Sequence, residues 1–142
     1  MATIYDVLAQ DHRKVKDVFT TLRKDGSLSD DAARSMLSEA REDLRKHMAY
    51  EEQTFYPTTR RQTDMDHEVD HYYNEHKQLR DLVETLAGTE KGSSQWDATL
   101  DQILGALDQH VHDEETKMFL AARNHIAEGE AETMAADYQA QK

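Results

Sequence analysis

The sequence holds no cysteine, one proline and five glycines in 142 residues. Without cysteine there are no disulfides, no thiolate metal sites and no cysteine nucleophiles, so histidine and carboxylate remain as the metal-ligating side chains. That set suits iron, manganese or zinc better than copper(I) or an iron–sulfur cluster. So little Gly and Pro leaves scant material for β-turns, and Ala, Leu, Glu, Lys, Arg and Gln dominate, which makes the chain all-α. Positive charge is scarce too: 17 Lys and Arg against 29 Asp and Glu give a formal net charge of −12. The basic residues are interleaved with acids, an arrangement that argues against binding a phosphate backbone. No apolar run approaches the roughly 20 residues needed to span a bilayer, and MATIYDVLAQDH lacks the basic and apolar regions of a signal peptide. The expectation is a cytoplasmic, soluble protein without nucleic-acid or membrane partners, a monomer with a dimer as the alternative. By length, residues 1–142 form a single domain that buries about two-thirds of its unfolded surface and can enclose a site.

What the sequence does contain is a duplication. HVHDEETKMFLAAR from His110 to Arg123 repeats HMAYEEQTFYPTTR from His47 to Arg60, pairing His47 with His110, Glu51 with Glu114, Glu52 with Glu115 and Arg60 with Arg123. DHRKVKDVFTTL from Asp11 likewise reads against EHKQLRDLVETL from Glu75, pairing His12 with His76 and Leu22 with Leu86. The chain is thus two copies of one helical hairpin, each carrying a His and then a His-x-x-x-Glu.

Capping and breaking residues place four long helices. The first runs from an N-cap at Thr3 to Lys24 and stops at Asp25-Gly26. The second starts after Ser29 or Asp30 and reaches about Thr59, with Pro57 bending or ending it. The third opens at Asp64 and ends near Gly88, and after GTEKGSS the fourth runs to about Glu128 and Gly129. The tail from Glu130 to Gln141 reads either as a short outer helix or as a frayed end. An up-down four-helix bundle built from the two hairpins follows.

Apolar residues advance by four and three along each helix. The seams are Leu8, His12, Val15, Phe19, Leu22; Leu37, Ala40, Leu44, His47, Glu51, Phe55; Val69, Tyr72, His76, Leu79, Val83, Leu86; and Leu100, Ile103, Leu107, His110, Glu114, Met118. The repeated His and Glu residues therefore belong to the apolar seam and not to the wet face. Left unpaired, four imidazoles and two carboxylates in a bundle core would each cost several kcal/mol. A metal centre satisfies them with the fewest groups. His and Glu at i and i+4 lie about 40° apart around a helix and roughly 6 Å apart along it, so both reach one centre. The simplest assembly is pseudo-twofold: one ion takes His12 and His47, a second takes His76 and His110, and Glu51 and Glu114 span them.

The order His12, His47-x-x-x-Glu51, Glu75-His76, His110-x-x-x-Glu114 on four long helices resembles the hemerythrin family, in its hemerythrin-like HHE cation-binding branch, over nearly the whole chain. The resemblance implies two iron ions in an oxo- or hydroxo-bridged, non-haem di-iron centre. His12, His47, His76 and His110 would be its terminal ligands and Glu51 and Glu114 its bridges. Hemerythrins proper carry a second His four residues before the position of His76, and here Tyr72 stands there. His71 lies about 140° away from His76 around the helix. Tyr72 is therefore expected to supply a phenolate to the iron on His76 and His110. Leu8, at the matching position of the first helix, donates nothing, which leaves the iron on His12 and His47 one ligand short, with room for a small molecule. A phenolate favours iron(III), so the implied activity moves from oxygen carriage towards a catalase- or peroxidase-like oxidoreductase acting on hydrogen peroxide, or on nitric oxide with peroxide. The alternative is a non-catalytic protein that binds or senses oxygen, nitric oxide or iron.

Glu52, Glu75 and Glu115 are candidates for orienting imidazole N–H groups, with plain surface acids as the other reading. His67-Glu68-x-x-His71 matches the zinc-protease pattern but lies off the seam near a helix start, with no strand to hold a peptide. His112 and His125 read as structural or exposed, and Met48 and Met118 as core filler.

Overall fold

The computed structural model describes residues 1–142. Helix α1 spans Ile4–Lys24, and its start is held by the Thr3 backbone N–H, which donates to the Asp6 carboxylate at 3.0 Å. Asp25 closes it by accepting from the backbone N–H and hydroxyl of Ser27. Helix α2, Asp30–Tyr50, starts at Ser29, whose Oγ accepts from the Ala32 N–H at 3.0 Å. It runs into a π-helical segment, Glu51–Phe55, and then into α3, Tyr56–Gln62. Helix α4, Asp66–Ala87, leads through Gly88 to α5, Ser94–Asp113, whose cap is Ser93. A second π segment, Glu114–Met118, passes into α6, Phe119–His125, and α7 covers Glu128–Gln141. No residue lies in a strand.

The rods form the expected up-down four-helix bundle: α1 packs on α2 and α5, and α4 packs on α5 and α2. Every residue of the four seams is buried. At roughly 25 cal/mol per Å² of apolar surface removed from water, each large seam side chain contributes about 2–3 kcal/mol. These side chains form two apolar clusters. One runs from Val15, Phe19 and Leu22 to Leu107, and the other gathers Leu8, Phe55, Tyr56, Tyr72, Met118 and Phe119. The buried imidazoles and carboxylates belong to neither and make a polar layer between them.

Three boundaries differ from expectation. Helix α4 starts at Asp66, because Thr63 is extended and its hydroxyl accepts from the Met65 N–H. The fourth rod stops at His125, and the tail is a full helix that packs along α1. Pro57 does not end the second rod. The preceding π turn has already changed the hydrogen-bond register, and the Tyr73 hydroxyl donates to the Glu52 carbonyl at 2.9 Å, a bond that Pro57, lacking an N–H, does not make.

Candidate metal centre

The two π segments occupy equivalent positions in the two hairpins, and each begins at the repeated glutamate. Pro57 cannot be their common cause, since its counterpart is Leu120. A π turn closes i to i+5, so Tyr56 N–H bonds Glu51 O and Phe119 N–H bonds Glu114 O. In an ordinary α-helix residue 56 would stand about 140° from residue 51. The π turn instead returns Tyr56 to the face of Glu51, and Phe119 to the face of Glu114. Insertions of this kind concentrate at functional sites.

Between the apolar clusters, four side chains from different elements meet in each of two groups. His12, His47, Glu51 and Glu114 form one group and Glu51, His76, His110 and Glu114 the other, with the ligand atoms of each within 4.8 Å of one another. Both glutamates are common to both groups. His47 Nε2 and His76 Nε2 lie 3.0 and 3.1 Å from Glu51 Oε1. His12 Nε2 lies 3.3 Å from Glu114 Oε1 and His110 Nε2 lies 3.2 Å from Glu114 Oε2. The imidazoles pair as the seams imply, His12 with His47 at 4.7 Å between ring centroids and His76 with His110 at 4.9 Å.

The outward nitrogens are held by carboxylates in matched pairs. Within the hairpins, Asp11 stands 3.0 Å from His47 Nδ1, and Glu75, its repeat counterpart, stands 2.8 Å from His110 Nδ1. Across the hairpins, Glu52 stands 2.6 Å from His76 Nδ1 and Glu115 stands 2.7 Å from His12 Nδ1. Glu52 also accepts from Arg80 at 2.9 Å. Glu52, Glu75 and Glu115 thus orient imidazoles; they are not plain surface acids. Asp11 completes the set and was missed, although its alignment with Glu75 in the repeat could have identified it. A carboxylate on Nδ1 turns Nε2 inward with its lone pair free.

Tyr72 is buried, but its hydroxyl donates to the Asp113 carbonyl at 3.2 Å. Its hydrogen bond is therefore to backbone, away from the carboxylates. The phenol beside the second group belongs to Tyr56, whose hydroxyl bonds Glu114 Oε2 and lies 3.2 Å from His76 Nε2. The Tyr56 ring stacks on His76 at 5.3 Å and 27°. On the other side Phe119 lies nearly parallel to His12, at 6.4 Å and 14°, with no oxygen to offer. A phenol, Tyr56, thus stands beside one group and a ring without oxygen, Phe119, beside the other, whereas Tyr72 bonds to backbone. His67, His71, His112 and His125 are all exposed, and Met48 and Met118 fill the two apolar clusters.

The chemistry of the cluster calls for positive charge. Buried atoms without any hydrogen-bond partner include Nε2 of His12, His47 and His110, both Glu51 carboxylate oxygens and Glu114 Oε1. They face one another, and cations among them satisfy all of them at once. Without a cation the cluster takes up protons. Burial disfavours the His47 cation, yet Glu51 and Asp11 outweigh it and hold the imidazole at about 10. Burial opposes the His110 cation in the same way, while Glu114 and Glu75 raise it to about 10. Burial opposes ionisation of Glu114 as well, but the His110 and His12 imidazoles beside it hold its carboxyl well below the usual range. Burial, reinforced by Glu114 and Glu51, pushes the Tyr56 phenol well above its ordinary value. The donor set therefore fits metal ions, which would replace the protons that the imidazoles otherwise bind.

Comparison with known proteins agrees with the geometry. Residues 3–122 match the hemerythrin HHE cation-binding domain family. A hemerythrin HHE cation-binding domain-containing protein from Mycobacterium kansasii has the same fold. Its TM-score is 0.84 at 20% sequence identity, over 99% of this chain and 85% of that one. A DNA nickase from Nostoc sp. is 26% identical over 139 residues, which are 98% of this chain. The chain spans only 39% of that relative's length.

Proposed function

Since the chain belongs to the hemerythrin HHE cation-binding domain family, we propose that its buried cluster holds two iron ions and acts on a small oxidant, by disproportionating hydrogen peroxide or by nitric oxide and peroxide chemistry. The observation that carries this reading is the ring of unpartnered buried atoms on His12, His47, His110, Glu51 and Glu114. His12 and His47 would hold one ion and His76 and His110 the other, with Glu51 and Glu114 between them. Iron held there supplies exchange between the ferrous and ferric states.

The protein's own groups set the rest. Tyr56 would give the His76 and His110 position a further oxygen donor and, as a phenolate, favour the ferric state. Phe119 leaves the His12 and His47 position without an equivalent donor, so that is where a small ligand would enter. The apolar clusters on either side limit water, and Glu52, Glu75, Glu115 and Asp11 hold the imidazole Nδ1 protons. A net charge of −12 and donors buried within the bundle support a small substrate over a nucleic-acid backbone.

Metal analysis of the purified protein is expected to find two iron ions per chain, and their absence overturns the proposal. Hydrogen peroxide added to the loaded protein should release oxygen many-fold faster than free iron does. Release at the free-iron rate leaves non-catalytic binding of oxygen, nitric oxide or iron as the function of the same residues.

A further inference from the structure

Of the four imidazole-orienting carboxylates, Glu52 is held by Arg80 from within the duplicated hairpins, whereas Asp11 is held from outside them. Glu75, its counterpart, has only the exposed His71 near its second oxygen, at 3.4 Å. Asp11 is gripped by α7, which lies beyond residues 3–122, the part that matches the family. The Tyr138 hydroxyl donates to Asp11 Oδ2, the oxygen that faces His47 Nδ1. Lys142 Nζ lies 2.7 Å from Oδ1 and 4.6 Å above the Tyr138 ring. The helix is placed for this by burial of Ala131, Met134, Ala135 and Tyr138, by stacking of Tyr138 on Tyr50 at 4.8 Å, and by the Tyr50 hydroxyl, which donates to the Met134 carbonyl at 3.1 Å. Lys46 in α2 reaches the Lys142 carbonyl at 3.2 Å.

We propose that Tyr138 and Lys142 are positioning residues for His47, acting through Asp11, and that α7 thereby governs retention of the ion held by His12 and His47 without touching the other position. The physical basis is that a ligating imidazole is only as well aimed as the carboxylate on its far nitrogen. Asp11 has a hydroxyl and an ammonium to fix its two oxygens, and both come from α7 and the residue that follows it, outside the duplicated hairpins. Docked, α7 locks His47. Lifted, it frees Asp11 to turn, and His47 with it. Glu75 and His110 have no such attachment, so the pseudo-twofold centre has one gated position and one ungated position.

This inference rests on the two-ion reading above, and its test separates the two. Full-length protein loaded with two equivalents of Co(II) is mixed with excess chelator, and release is followed through the visible ligand-field bands. The wild type should lose its ions in two phases. Tyr138→Phe, which removes a single hydroxyl, should speed one phase by up to about tenfold, below the roughly 10–100-fold usual for losing the orienting carboxylate itself, and leave the other within about twofold. Lys142→Met should speed the same phase, and the bands lost in it should be altered before chelation. His71→Ala, on the equivalent carboxylate, should change neither phase. Equal acceleration of both phases, or none in either variant, overturns the gating by α7 while the two-ion reading stands. A wild type that takes up no Co(II) overturns both.

Discussion

Adding two equivalents of Zn(II) to the metal-free protein at pH 8 should release protons in a number that the site dictates. His47 and His110 titrate at about 10 without metal, so at pH 8 each is about 99% protonated. Both must become neutral to bind. They account for about two protons. The Tyr56 phenol bonds Glu114 and sits beside His76 Nε2. If it binds as a phenolate it adds a third, because a nearby dication reverses the effect of burial that keeps it protonated. Wild type should thus release about one proton more than Tyr56→Phe, and Tyr72→Phe should match wild type, since its hydroxyl is bound to the Asp113 carbonyl. Protons lost from bound water are common to all three proteins and cancel in the comparison. Calorimetry in buffers of different ionisation enthalpy measures the count directly. Equal release from wild type and Tyr56→Phe refutes phenolate ligation by Tyr56, and a one-proton deficit in Tyr72→Phe instead would return the role to Tyr72. Release well below two protons in every protein would show that the imidazoles are not charged before metal arrives.

The same groups set the pH dependence of stability. His47 and His110 have folded values of about 10 against an ordinary 6.5. Their stabilisation is present in full below pH 6.5 and is lost as pH rises towards 10. Thermal melts of metal-free protein should show Tm falling across that window, and zinc-loaded protein should lack the trend. Asp11 and Glu114 are depressed, so their contribution is present above the ordinary carboxylate range and is lost as pH falls. Phe119→Tyr should place a second phenol against His12 and strengthen the phenolate-to-iron absorption of ferric protein; an unchanged band would contradict the equivalence of residues 56 and 119. Replacing His12, His47, His76, His110, Glu51 and Glu114 together by apolar residues of similar volume should abolish metal binding and stabilise the metal-free bundle by about 1–4 kcal/mol. A destabilised variant, measured by urea denaturation, would mean that the polar layer holds the fold together without metal.

How far the sequence alone reached can be judged residue by residue. The four seams, the bundle and the convergence of His12, His47, Glu51, His76, His110 and Glu114 were legible because helical periodicity and the internal repeat are local properties of the chain. Asp11 was not picked out, although its alignment with Glu75 carried the signal, and only the structure put it on His47. Tyr56 was not legible. Seam arithmetic assumes 3.6 residues per turn, and on that assumption Tyr56 faces away from Glu51. The π turns at Glu51 and Glu114 break the assumption, and nothing in EEQTF or EETKM announces them. Each begins at a glutamate buried in the layer between the two apolar clusters, and that layer exists only once all four helices are assembled. The docking of α7 on Asp11 is tertiary in the same sense: Tyr138 and Asp11 are 127 positions apart, and only the folded bundle brings the phenol to the carboxylate.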